Sequence, residues 1–167
     1  MKAIFIENHG EIDVLKYGSF KDPEIDNNKA IVQIKAAAIN HLDIWVRNGL
    51  PGINIPLPLV LGSDAAGVIV DLGKNVNGFS INDEVIIQPG TFDPDCHFVK
   101  QGKENYSSTY GILGETENGV QSEFVSLNPI NIYPKAEHLT FEEAASMQLV
   151  FMTAYQMLVN RAKISNK

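Results

Sequence analysis

Cysteine is almost missing from this chain: Cys96 is the only one in 167 residues. A single thiol excludes an internal disulfide framework and any zinc site built mainly from cysteine. Basic residues are in deficit, with 13 Lys and Arg against 20 Asp and Glu and a formal net charge of −7. Phosphate-backbone binding needs clustered Lys and Arg, so nucleic acid is not an expected partner. No apolar run reaches the ~18 residues of a membrane span, so no membrane association is expected either. Met1-Lys2-Ala3-Ile4-Phe5-Ile6-Glu7 has neither the apolar core nor the cleavage site of a signal peptide. A cytoplasmic, reducing location follows as the expectation. Internal repeats and low-complexity tracts are also lacking.

What is present suits a soluble globular chain of about one domain. At 44% hydrophobic and 20% charged, with apolar residues spread evenly, the sequence is not of the disordered type. A chain this long buries roughly two-thirds of its unfolded surface and needs no covalent staple.

Along the chain, short strands with turn punctuation come first. Lys2 to Glu7 places Ala3 and Phe5 on one face, and Val14 to Phe20 is a second candidate ended by Lys21-Asp22-Pro23. Ala30 to Ile39 is the longest candidate; Val32, Ile34, Ala36 and Ala38 would share one face, with Gln33 and Lys35 opposite. Asn40 can cap a short helix that Gly49 stops. Pro51, Pro56 and Pro58 then make an extended loop. Val60 to Asp71 is strand-like with Gly62 and Gly67 inside it, which marks a bulge or a close backbone approach. Glu84 to Gln88 is a buried-type strand. Residues 91–119 are polar and lack apolar periodicity, as in a protruding lobe. Ser122 to Leu127 and Ile130 to Tyr133 return to strand. Thr140-Phe141-Glu142-Glu143 fits a capping box, and one long helix over 141–162 is expected to follow. Apolar residues lie on nearly every face of that helix, so it needs cover on more than one side.

Several collinear motifs carry a family resemblance. Ala36-Ala37-Ala38-Ile39-Asn40-His41-Leu42-Asp43-Ile44-Trp45 and Pro58-Leu59-Val60-Leu61-Gly62-Ser63-Asp64-Ala65-Ala66-Gly67 are two. Asn82-Asp83-Glu84-Val85-Ile86, Tyr110-Gly111-Ile112-Leu113-Gly114, Leu139-Thr140-Phe141-Glu142-Glu143 and Phe151-Met152-Thr153-Ala154-Tyr155 follow in order. Together they resemble the substrate-side domain of medium-chain dehydrogenase/reductases, the zinc-type alcohol dehydrogenases and quinone oxidoreductases. The resemblance implies a mainly β fold with some α: a GroES-like, partly open β-barrel over residues 1–140, a short helix after the third strand and a long C-terminal helix. That helix would lead into a nucleotide-binding Rossmann domain, and no G-x-G-x-x-G occurs in the sequence. The Rossmann domain is thus expected to be absent here, with NAD(P) used by the intact enzyme and none bound to this chain.

Metal sites can be tested residue by residue against the resemblance. Zinc-dependent relatives place ligands where Asn40, Ser63 and Leu149 stand, a set that does not meet the ligand rule for a catalytic zinc. Their structural zinc uses cysteines at the positions of Asp93, Cys96, Val99 and Ser107, and only Cys96 retains the thiol. No zinc is therefore expected, and residues 91–109 read as a lobe whose metal has been lost.

The resemblance puts Asn40, Asp43, Ser63 and Asp64 in a catalytic cleft and His41, Arg47 and Thr153 near the cofactor. Each has a plainer alternative. Asn40 would bind substrate or nicotinamide ribose, or cap a helix, with Asp43 orienting its neighbours or serving the same cap. Arg47 would touch substrate or cofactor, or pair with Asp43 one turn away. Ser63 and Asp64 would line the cleft, or satisfy backbone groups at a bulge. His41 would approach cofactor phosphates, or be an ordinary surface residue. Thr153 would face the nicotinamide, or bond back to the carbonyl four residues earlier. Trp45 reads as a packing residue.

The implied activity is zinc-independent hydride transfer to or from a small carbonyl, enone or quinone, with polarisation by donors such as Asn40 and ordered water. The chain alone is expected to be inactive and to self-associate through its C-terminal helix. The alternative is a stand-alone GroES-like binding module, or a pseudoenzyme that docks on a complete homologue.

Overall fold

The computed structural model describes residues 1–164. Strand β1 (Lys2–Ile6) buries Ala3, Phe5 and Ile6. It pairs antiparallel with β2 (Lys16–Ser19) and β4 (Leu59–Val60), making a three-stranded sheet in the order β2-β1-β4. β2 starts later than its apolar residues suggest, because Ile12–Val14 coils into a 3-10 turn.

The main sheet is antiparallel and five-stranded. It joins β3 (Ala30–Ala38), β5 (Asp64–Leu72), β6 (Glu84–Ile87), β9 (Phe124–Leu127) and β10 (Ile132–Pro134) in the order β10-β6-β5-β3-β9. A short pair, β7 (Gly90–Thr91) with β8 (Gly111–Ile112), closes the base of the polar lobe. The sheets do not close into a barrel. The principal core lies on one face of the large sheet, around Val32, Ile69, Val85, Ile87 and Val120.

β3 does not keep one continuous face. Its register against β5 shifts between Ile34 and Ala36. Val32 and Ile34 therefore pack into the principal core, whereas Ala36 packs with Ala66, Ala144 and Ala145 under a helix. Opposite the shift stands Gly67, where a Cβ would collide with the carbonyl oxygen of Gln33. The missing side chain permits that approach. The strand-like run from Val60 is likewise broken, by Gly62 at φ +93°.

Helix α1 (His41–Asn48) begins at Asn40 and stops at Gly49, which takes φ +91°. Its inner face seats Val46 against Ile6, Ile55, Leu59 and Leu61. Trp45, expected in the core, is instead 51% exposed and leans on His41 one turn away, with ring centroids 4.9 Å apart.

The expected single helix over 141–162 forms as two helices with a π-helical extension. α2 (Phe141–Ala145) starts in the capping box: Glu143 N–H donates to Thr140 Oγ1 at 3.2 Å, and Thr140 N–H to Glu143 Oε2 at 2.9 Å. It ends at Ser146, whose hydroxyl donates to the Glu143 carbonyl at 2.8 Å. α3 (Gln148–Tyr155) then runs into a π-helical turn, Gln156–Arg161. The break has a tertiary cause. Ala144 and Ala145 must lie flat on the sheet, while the Leu149 N–H is taken by a carboxylate from β5 rather than by the preceding turn. Among the described residues no helix is long and apolar enough to cross a membrane.

Candidate functional site

Where β3 ends, β5 begins and α3 starts, one small polar junction forms. Asn40 and Asp43 are arranged as a capping box, in which Asn40 N–H donates to Asp43 Oδ2 at 2.8 Å. The Asn40 side chain makes no full cap hydrogen bond. It turns to β5, and Nδ2 donates to Asp64 Oδ2 at 3.1 Å. The other oxygen, Asp64 Oδ1, accepts the Leu149 N–H at 3.0 Å.

Both carboxylates are out of water, Asp43 being 6% exposed and Asp64 1%. Burial pushes each pKa above the usual carboxylate range. For Asp43 the Asn40 and Gly62 amides oppose that rise and the charge of Asp64 adds to it. The Gly62 amide helps without completing a hydrogen bond: Asp43 Oδ1 has no partner in the structure. For Asp64 the opposing donors are Asn40 and Leu149. Ser63, fully buried, donates from its hydroxyl to the Leu113 carbonyl at 2.8 Å.

Asp43, Ser63 and Asp64 are buried, and Ser63 and Asp64 hold neighbouring backbone or side-chain groups. Asn40 is half-buried and retains one amide N–H. Arg47 does not pair with Asp43. Its Nε donates to the Gly10 carbonyl at 3.1 Å, its Nη2 to Asn48 Oδ1 at 2.9 Å, and Glu11 lies 3.7 Å away. Gly10 N–H returns a bond to the Arg47 carbonyl at 3.0 Å, so Arg47 fastens the loop after β1. His41 is an exposed residue whose ring lies tilted against Trp45. Thr153 is exposed on α3 and makes no back-bond to the Leu149 carbonyl.

An open groove of about 810 Å³ runs between α3, the lobe and the end of β6. Thr153 and Leu149 of α3 line it, as do Gln88, Phe92 and Tyr110. Burial, helped by the charges of Glu115 and Glu104, pushes the Tyr110 phenol up, which keeps it a proton-bearing donor at neutral pH. Gln148 also belongs to this wall. Its Nε2 donates to the Ala144 carbonyl at 2.6 Å, while its Oε1 is buried without a partner. Gln88, Tyr110 and Gln148 went unmarked in the sequence, since no spacing links residues so far apart. The only available signal was Tyr110 at the head of a family-like motif. A smaller groove, about 390 Å³, lies beside β1 and is lined by none of the expected site residues.

At both positions where the resemblance puts zinc, the set of ligating side chains is incomplete. At the first, Asn40 and Asp64 are bonded to each other, the Ser63 hydroxyl is committed to Leu113, and Leu149 offers only its backbone. At the second, Asp93 Oδ1 accepts the Asp95 N–H at 2.9 Å, Ser107 bonds Thr109 at 2.9 Å, and Val99 has no donor. The Ser107 side chain and the Phe98 and Val99 amides hold the Cys96 thiol below its ordinary pKa. No group of three or more His, Cys, Asp or Glu could hold a metal among the described residues.

Residues 26–137 match the alcohol dehydrogenase GroES-like domain, and the chain belongs to that family. It lies within the medium-chain dehydrogenase/reductase superfamily, whose relatives are oxidoreductases. The chain is 31% identical over 163 residues to the NAD-dependent alcohol dehydrogenase of Sulfolobus acidocaldarius, covering 95% of itself and 47% of that protein. It is 34% identical over 169 residues to the 2-methylene-furan-3-one reductase of Solanum lycopersicum, covering 100% of itself and 39% of that enzyme. A crystal structure of an NAD-dependent alcohol dehydrogenase superposes with a TM-score of 0.94 at 41% identity, over 98% of this chain and 48% of the other. A cobalt- and zinc-bound thermostable alcohol dehydrogenase from Pyrobaculum aerophilum superposes with a TM-score of 0.88 at 26% identity, over 99% and 49%. The chain thus spans less than half the length of these relatives.

Proposed function

We propose that this chain is the substrate-side half of a cytoplasmic, zinc-independent NAD(P)-dependent oxidoreductase that reduces or forms a carbonyl, enone or quinone group on a small molecule. The observation that carries the reading is the groove. It brings Thr153, Leu149, Tyr110 and Gln88 to one cavity, with Leu149 bonded to Asp64 and Asp64 to Asn40. The nicotinamide, when bound, supplies or accepts the hydride. On this chain, Thr153 and the apolar α3 wall would hold its ring. The Tyr110 hydroxyl, which lines the groove, would donate to a substrate oxygen as charge develops on it, and Asn40, outside that lining, would act through Asp64 and Leu149. The donor set supports metal independence, because Ser63 is committed to the Leu113 carbonyl and Leu149 carries no ligating side-chain atom. We also propose that the chain by itself is inactive and self-associates through α3.

Calorimetric titration with NADH and NADPH tests the reading. The purified chain should show no binding. Joined to a nucleotide-binding half, it should oxidise NAD(P)H with an enone or quinone and keep that rate after dialysis against a chelator. A rate lost to the chelator and restored by zinc would overturn the metal-free mechanism. Failure of the joined protein to turn over would favour a stand-alone binding module or pseudoenzyme.

A further inference from the structure

We propose that Asp64 is a positioning residue: its carboxylate fixes where α3 begins, and so where Thr153 stands in the groove. The inference deepens the oxidoreductase reading and rests on it for the meaning of Thr153.

The first turn of a helix leaves N–H groups without intrahelical partners. α3 has no side chain at its own cap to take one, since Met147 makes no cap hydrogen bond. Asp64 fills the gap from the start of β5, and its Oδ1 accepts the Leu149 N–H at 3.0 Å across 85 residues of sequence. A carboxylate is also the favoured charge at a helix N-terminus. Thr153 follows Leu149 by four residues, so the two share a helix face and move together. Asp64 Oδ2 meanwhile orders the Asn40 amide. A carboxylate only accepts, so Nδ2 must face it at 3.1 Å, and Asn40 Oδ1 turns the other way. One buried side chain, 1% exposed, therefore sets both a groove wall and the neighbouring donor.

The test uses amide hydrogen exchange and NMR on the 167-residue chain. In Asp64→Ala, exchange at Leu149 should accelerate about tenfold or more, the scale expected for losing a charge-assisted hydrogen bond. The Thr153 resonances should shift, while amides in the β3–β5 ladder keep their protection. Asp64→Asn retains an acceptor for Leu149 once the Asn40 amide rotates, and it should restore most of both signals. A residue with a merely structural role would lower protection everywhere, with no selective rescue. Unchanged exchange at Leu149 in Asp64→Ala, or equal behaviour of the Ala and Asn variants, would overturn the proposal. Should Asp64→Ala not fold, Asp64→Glu decides. The arm is longer by one methylene, so Leu149 should stay protected while the Thr153 signals move, and unmoved Thr153 signals would refute the inference. No readout here needs cofactor or turnover, so failure is distinct from failure of the oxidoreductase reading.

Discussion

Asp43 shows how far a residue's surroundings can depart from what its neighbours in sequence suggest. In the chain it reads as a helix-cap carboxylate or a partner for Arg47; in the fold it is buried, faces Asp64, and leaves Oδ1 without a partner. Burial raises its pKa in the folded state. As pH rises, the unfolded chain therefore loses this proton first, and between the two pKa values the folded state binds more protons. The contribution of Asp43 to stability is present at pH below the ordinary carboxylate value and is lost as pH rises through the raised value. Asp64 acts in the same direction. Urea denaturation across this range should show a flatter fall of stability in Asp43→Asn than in wild type. Identical pH slopes would mean that Asp43 ionises freely in the fold. The type of residue was legible from the sequence, but its ionisation was not, since that depends on a second carboxylate brought alongside by β5.

At the scale of elements, local signals predicted starts better than lengths. The caps at Asn40 and Thr140 and the stop at Gly49 lie where the sequence puts them. The capping box of α2 is exposed, so its energy can be isolated: Thr140→Ala should cost about 1 kcal/mol in urea denaturation. No loss would show that packing of Ala144 and Ala145 on the sheet holds α2 without its cap. Element lengths followed tertiary demands. The helix over 141–162 broke because its alanines dock on one surface while Leu149 turns to Asp64. β3 changed faces because a register shift opposite Gly67 redirects Ala36 from the core toward α2.

For the whole molecule, the uncovered surface of α3 is the main consequence of the fold. Phe151 is 62% exposed and Tyr155 60%, with Val150, Met152 and Met157 beside them. Contiguous apolar surface of this kind promotes association. Sedimentation velocity should show the average mass of the chain rising with concentration, and Phe151→Glu with Tyr155→Glu should return it to monomer. A wild-type monomer at high concentration would rule out α3 as a contact surface. The same surface accounts for the sequence signal that this helix needs cover on several sides.

The sequence by itself determined the family, the approximate places of the longer strands, the helix caps at Asn40 and Thr140 and the single thiol of the lobe. These rest on residue type and short spacing, which act within a few positions along the chain. Only the tertiary structure decided which polar residues touch one another. It withdrew Asp43, Ser63 and Asp64 from the surface, gave Arg47 to the loop after β1, and brought Tyr110 and Thr153 to one groove. Hydrogen bonds and burial depend on distance in space, and the 85 residues between Asp64 and Leu149 carry no local trace of their 3.0 Å contact.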